Sequence, residues 1–296
     1  MIVKDVSVFG QTLLLALTVA GLYAAIASGL TLEFGVMRIV NFAHGEFVML
    51  GAFITYFLET RYGLSPLFGA AISGVAMLIL SWLVYDTFLW RVLREDEHNQ
   101  ILATLGLSIL IVNLAMILWG PDARVMHAPD LLPPLRLGAI TIPGNNAVVF
   151  IVGVLLVGGL VLFMRQTRYG LLLRLASDDA TLAAYAGVNV NAMFRLSFVI
   201  GGFTAGVSGG LVALVLYVHP LVGTDLVIRA FAIVALGGLG SIGGSLIGAA
   251  ILSGAESMVA TFVPGGGSWG YGIAFLLIVI VLAVRPMGLF GSEQRS

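Results

Sequence analysis

Charge-free gaps divide this chain. No Asp, Glu, Lys or Arg stands between Asp5 and Glu33, Arg61 and Asp86, Glu97 and Asp122, Arg136 and Arg165, Arg195 and Asp225, Arg229 and Glu256, or Glu256 and Arg285. A helix needs about 20 apolar residues to cross the hydrocarbon core, and each gap is long enough. The gaps lack period-two alternation and are about twice the length of a barrel strand, so the crossings are read as helices. The first apolar stretch, about Gln11 to Leu32, is too long for the core of a cleaved signal and is taken as the first span.

Between the spans the arginines are unevenly shared. Residues 165–195 carry Arg165, Arg168, Arg174 and Arg195, the loop 91–98 carries Arg91 and Arg94, and the tail carries Arg285 and Arg295. The positive-inside rule puts these three on the cytoplasmic side, and both termini are expected there. Residues 120–146, rich in proline and turn formers, read as an outer loop. Parity then constrains the region between 195 and the tail, which must cross an even number of times. Spans near 196–218 and 269–285 are clear, so 227–263 must leave the outer face and return to it. The expected form is a short segment 227–237, a turn at the glycines 237–244, and a helix from Ser245 to Phe262. The first third has a similar layout: a span at 11–32, a short segment Phe34–Phe42, a helix Gly45–Glu59 and a span Pro66–Leu89. Interrupted segments at matching places suggest an internal duplication and point to a transport pathway. The expected fold is an all-α polytopic bundle of about eight to ten membrane segments, forming a single domain over 1–296.

Composition narrows the function classes. The chain is 59% hydrophobic and 10% charged, against about 25% charged in soluble domains, so the lipid bilayer is its solvent. A net charge of −1 offers no basic face for nucleic acid. Cysteine is absent and the four histidines are scattered, which argues against thiolate chemistry and a metal site. Lys4 is the only lysine, so no GxxxxGK[ST] loop exists, and any ATP that drives this protein is bound by another chain. The run GLGSIGG lacks the surrounding βαβ unit of a dinucleotide site.

Ionisable groups inside spans cost about 2.5–3.5 kcal/mol each on insertion scales. The candidates are Glu33, Arg38, His44, Glu46, Glu59, Arg229 and Glu256. Glu59, Asp86 and Asp225 lie near span ends, where snorkelling to headgroups accounts for them. Glu256 lies mid-helix and Glu46 follows a broken segment, so each is either a buried structural group or part of a pathway. Asn41 and His44, in NFAHGE, are three apart and can share a helix face, as packing glue or pathway lining. Gly237, Gly238 and Gly240 permit either close helix packing or a backbone break lining a cavity. In the loop, Ser177 suits an N-cap, Asp178 and Asp179 the first turn, and Gly187 the stop of a helix of about nine residues containing Ala183 and Ala184. Such a helix is too short to stand alone and must dock, on this chain or a partner.

The runs GLTLEFGVMRIVNFAHGEFVMLGAF (29–53), TRYGLLLRLASDDATLAAYAGVNV (167–190), ALGGLGSIGGSLIGAAILSGAE (235–256) and RPMGLFG (285–291) resemble the permeases of branched-chain amino acid ABC importers, specifically the shorter of the two permease types. The resemblance implies a bacterial or archaeal inner-membrane subunit. It implies four partners: a related second permease, two ATPase subunits that bind ATP and Mg, and an extracytoplasmic binding protein. It makes the short helix the coupling helix, with Arg174, Ser177, Asp178, Asp179, Ala183, Ala184 and Gly187 as contact residues. Glu33, Asn41, His44, Glu46, Gly237, Gly238, Gly240 and Glu256 become the pathway candidates. The chain would bind no cofactor and perform no covalent chemistry. Two features depart from the family pattern: Glu33 replaces a usual apolar residue, and Leu171, Leu172 and Leu173 stand where basic residues are common. Competing readings are a proton- or sodium-coupled transporter using Glu33, Glu46 and Glu256, a passive channel, and the same ABC architecture carrying urea, short amides or small carboxylates.

Overall fold

The computed structural model describes residues 2–138, 140–285 and 287–290, and nearly all regular structure among them is helical. Arg295, counted above among the tail arginines, lies outside the described residues. Helix α1 (Ile2–Met37) has 36 residues, about 54 Å at 1.5 Å per residue, longer than the roughly 30 Å hydrocarbon core. Six non-helical residues lead to α2 (His44–Tyr62), which Gly63 ends in the left-handed conformation at φ 63°. Pro66 opens α3 (Pro66–Val84), where its missing N–H costs nothing. A π-helical turn at Tyr85–Leu89 carries that helix into the short α4 (Trp90–Val92).

After α5 (Glu97–Trp119), the loop folds into a small hairpin of β1 (Leu135–Leu137) and β2 (Ile140–Ile142), antiparallel with Arg136 opposite Thr141. Then follow α6 (Gly144–Gln166), α7 (Arg168–Asp178), α8 (Ala180–Tyr185), α9 (Val190–Val215), α10 (Val222–Gly237), α11 (Ile242–Phe262) and α12 (Gly270–Val284). Seven helical stretches among the described residues are long and apolar enough to cross a membrane. With α2 and α10 packed among them, the count falls within the eight to ten segments expected.

The core is built on α1 and α9. Helix α9 is studded with small residues, and a Cβ on Gly206 would lie 2.4 Å from Ser73 O and one on Gly209 2.2 Å from Val48 O. Only glycine lets these backbones touch, which is how helices associate where lipid tails are as apolar as leucine. Ser73 Oγ donates to Gly206 O at 2.8 Å across the α3–α9 contact.

The loops sort onto two ends. At one, Ser177 Oγ donates to Gly35 O, Arg38 to Ser177 O at 3.0 Å, and Arg195 pairs with Asp86 at 3.4 Å. Leu289 N also donates to Leu236 O there, so residues 35–38, 86, 177, 195, 236 and 289 share that end. At the other, Gln11 Nε2 donates to Thr141 O at 2.7 Å and Arg124 bridges Val218. The arginine-rich loops thus share one end and residues 120–146 the other.

Two expectations are corrected. Phe34–Phe42 is not a separate segment: α1 runs on to Met37, and residues 38–43 turn the chain back. One expected crossing is therefore missing from the first third, so the start of α1 and residues 287–290 lie at opposite ends and not together. The 227–263 region behaves as parity required. Helix α10 reaches the 165–195 end, breaks at 238–241 and returns as α11, although both helices begin three to five residues earlier than expected. The layout argument for duplication loses one of its matched members.

Candidate functional site

The sequence-derived pathway residues do not form one cluster but three. In the first, Glu33 of α1 is fully buried. Asn41 Nδ2 donates to its Oε2 at 2.7 Å, and His44 Nδ1 meets Oε1 at 3.0 Å. His44 Nε2 lies 3.1 Å from Ile26 O, which can only accept, so Nε2 carries a proton. One further proton is shared between Nδ1 and Oε1, and the pair is neutral overall wherever it sits. Asn41 also accepts from Ala43 N at 3.0 Å, pinning the turn before α2. Asn41 and His44 therefore do cooperate, but from a turn and a helix start, not from one helix face as their spacing suggested.

The second cluster surrounds Glu46, fully buried in the first turn of α2. Ser108 of α5 donates to its Oε1 at 3.0 Å and Thr224 of α10 at 3.2 Å. Its Oε2 has no hydrogen-bond partner.

The third holds Glu256 of α11. Arg229 Nε of α10 donates to Oε1 at 3.1 Å, and Tyr23 OH of α1 to Oε2 at 3.1 Å. The Arg229 guanidinium lies 5.2 Å over the Tyr271 ring, and Tyr271 OH donates to Asp225. Asp225 thus has a protein partner in place of the headgroup contact expected of it. Glu256 reads as one corner of an interhelical clamp joining α1, α10 and α11.

The glycine break sits apart from these carboxylates. Gly238 and Gly240 have φ of 99° and 81°, values other residues rarely adopt. A Cβ on Gly35 would come 3.0 Å from Gly240 Cα, and one on Gly237 2.5 Å from Gly244 O. The break lies against the end of α1, beside the loop that precedes α8.

In that loop the register differs from expectation. Thr167 caps α7, which extends to Asp178. Asp179, not Ser177, caps α8, accepting from Thr181 N at 2.8 Å and Leu182 N at 2.9 Å. Ser177 instead sits in the last turn of α7 and bonds the end of α1. The reason is that Leu173 and Ala176, both buried, carry an amphipathic face through the position where the helix was expected to start. The short helix has six residues, not nine, and Gly187 at φ 84° follows its end. Ala183 is buried, whereas Arg174, Asp178, Asp179 and Ala184 are exposed, with Leu182 65% and Tyr185 84% exposed. Of the leucine run, Leu171 is exposed and Leu173 buried.

Sequence reasoning missed Ser108, Thr224 and Tyr23. Lone hydroxyls in apolar spans carry no local signal, because what distinguishes them is a carboxylate on another helix.

Residues 12–282 match the family model described as branched-chain amino acid transport system / permease component. The chain belongs to this family. Among its relatives are the high-affinity branched-chain amino acid transport system permease BraD of Pseudomonas aeruginosa, 30% identical with 96% of each chain covered, and LivH of Escherichia coli K12, 28% identical over 97% of this chain and 96% of that one. The fructose import permease FrcC of Rhizobium meliloti is 26% identical over 95% of this chain and 79% of its own. The permease matches relatives of nearly its own length, with Asn41, His44, Glu46 and the 237–240 break all inside the matched region.

Proposed function

We propose that this permease is the membrane-spanning subunit of an ATP-driven importer for branched-chain or other hydrophobic amino acids. The observation that carries the reading is the family match over residues 12–282, reinforced by curated relatives of the same length named for that transport. The chain would work beside a related permease and two ATPase subunits, with cargo delivered by a binding protein on the outer face of the cell membrane. ATP and Mg would sit on the ATPase subunits. The permease itself would do no covalent chemistry, its conformational equilibrium being shifted by nucleotide binding elsewhere.

Two features of the geometry support this. Helix α8 projects exposed Leu182 and Tyr185 from a segment too short to be stable alone, which suits docking into an ATPase cleft. The last turn of α7, one residue before α8, bonds directly to the end of α1 through Ser177 and Arg38, so movement of a docked ATPase would reach the bundle without a flexible linker. The arginine-rich end would face the cytoplasm, and residues 120–146 the binding protein.

The test is ATP hydrolysis by the permease reconstituted with candidate partner permease and ATPase subunits, with and without liganded binding protein. Stimulation by a binding protein loaded with leucine, isoleucine or valine is expected. Assembly without stimulation by any amino-acid-loaded binding protein would overturn the cargo assignment, and failure to assemble with any ATPase would overturn the importer reading.

A further inference from the structure

Glu46 combines three properties that packing alone does not explain. It is wholly buried, it is bridged by no cationic side chain among the described residues, and one of its oxygens is unpartnered. Leaving a buried carboxylate oxygen without a donor is costly, so its persistence asks for a reason.

Its depth matters. His44 Nε2 bonds Ile26 O of α1, and Ile26 is 11 residues before Met37 and 15 after Gln11, whose side chain marks the opposite end. At 1.5 Å per residue the start of α2 is therefore about 16 Å from the 165–195 end, near the middle of the bundle. Helix α10 starts at the same depth. A Cβ on Gly45 would lie 2.2 Å from Gly223 O, so the two helix starts touch backbone to backbone. Two broken helices thus present their N-termini to each other at mid-membrane, with Glu46 in the first turn of one and against Gly223 in the first turn of the other. Both dipoles favour its negative charge. Ser108 and Thr224 orient Oε1, and Thr224 is exposed, so the cluster adjoins an open surface. The Phe42 and Phe231 rings meet at 5.0 Å, Phe42 in the connection four residues before Glu46 and Phe231 two turns from Thr224 on α10, giving the polar cluster an apolar neighbour suited to a hydrophobic side chain.

We propose that Glu46, with Ser108 and Thr224, receives the α-ammonium group of the cargo midway across the membrane. Oε2 here lies against Gly223, where a Cβ would come 2.5 Å from it; when α2 and α10 part at that contact, the cargo's ammonium supplies the donors that Oε2 lacks, and its arrival neutralises a carboxylate that the bundle holds without a counter-ion. The assignment rests on the importer reading above and names the pathway residue that reads the cargo's charged end. Glu33, the other fully buried acid, and the partly buried Glu256 already have protein partners and are not free to do so.

The experiment measures leucine uptake and ATP hydrolysis by the complete reconstituted complex in proteoliposomes with leucine-loaded binding protein. Thr224→Lys places a tethered ammonium within reach of Glu46, and Thr224→Met adds comparable bulk without charge. Glu46→Gln keeps the shape and still accepts from both hydroxyls. Uptake is expected to fall about tenfold or more in Thr224→Lys and Glu46→Gln, as for loss of a desolvated charge partner, and to fall by clearly less in Thr224→Met, which removes one hydroxyl from Oε1 and adds no competing charge. Binding-protein-stimulated hydrolysis should persist in all three. Equal uptake in the Lys and Met variants, or full uptake in Glu46→Gln, overturns the proposal. Should Glu46→Gln fail to assemble, the pair at exposed position 224 decides alone. Uptake that requires sodium, tested by replacing it with choline, would mean the site takes a metal cation and would overturn the ammonium assignment. If the unsubstituted complex shows no stimulated hydrolysis, the importer reading itself has failed.

Discussion

At position 33 a carboxylate is held inside a helix core by an amide, an imidazole and one shared proton. The arrangement makes an asymmetric prediction. Gln at 33 can turn its oxygen to Asn41 Nδ2 and its NH2 to a neutral His44 Nδ1, so every group stays paired. Glu33→Gln is therefore expected to change stability by no more than about 1 kcal/mol. His44→Leu strands the carboxylate beside a single amide and is expected to cost about 3–5 kcal/mol. Thermal midpoints of the two purified variants in one detergent check this, and equal losses would show that the pair is not what holds the turn. The same residue-level view shows Glu33 and Glu256 each engaged by protein partners, Asn41 and His44 for the first and Arg229 and Tyr23 for the second. None of this pairing is legible locally. Glu33 and His44 are eleven residues apart, and only the reversal of the chain at 38–43 brings them together.

Among the elements, α7 and α8 show how a correct expectation can have the wrong register. Gly187 as a stop and a short helix before it were readable, because capping chemistry is local. The start was not, since Ser177 and Asp179 are both good caps, and the choice was made by burial of Leu173 and Ala176 against the bundle. This changes the useful test of coupling. Replacing Asp179 would remove an N-cap worth about 1 kcal/mol and confuse folding with docking. Leu182→Asp and Tyr185→Asp alter exposed positions that touch little of this chain. Each is expected to abolish stimulated uptake while basal ATP hydrolysis and expression persist, measured on the reconstituted complex; undiminished uptake in both would remove α8 from the ATPase contact. The break at 238–241 was legible for a different reason. The cluster of glycines at 237–244 and a parity constraint on the charges both pointed to it. The equivalent reading of 34–42 failed because α1 needed no glycine to continue, and Arg38 takes the positive φ of 57° where a glycine would have been the signal.

For the molecule as a whole, two consistent ends separate the loops, and the natural absence of cysteine allows this to be checked directly. Single substitutions Asp130→Cys and Tyr185→Cys are expected to react with a membrane-impermeant maleimide from opposite faces of sealed vesicles of known orientation. Gln11→Cys should follow Asp130→Cys. Labelling of positions 11 and 185 from the same face would restore the extra crossing that the structure removes. Large exposed apolar surfaces on α5 and α12 fit contact with lipid.

Charge spacing alone determined that the chain is a helical membrane protein, which loops share a side, and that 227–263 must turn back, because each follows from the cost of placing charge in hydrocarbon. Motifs such as NFAHGE and LGGLGS determined the family. Which acids are paired, which one keeps a vacant oxygen, and where α2 and α10 begin were decided only by tertiary structure. Those properties depend on backbones meeting at glycines such as Gly45 and Gly223, and on hydroxyls contributed by helices distant in the chain. No local pattern encodes such a contact, since its energy arises from desolvation by elements that folding brings together.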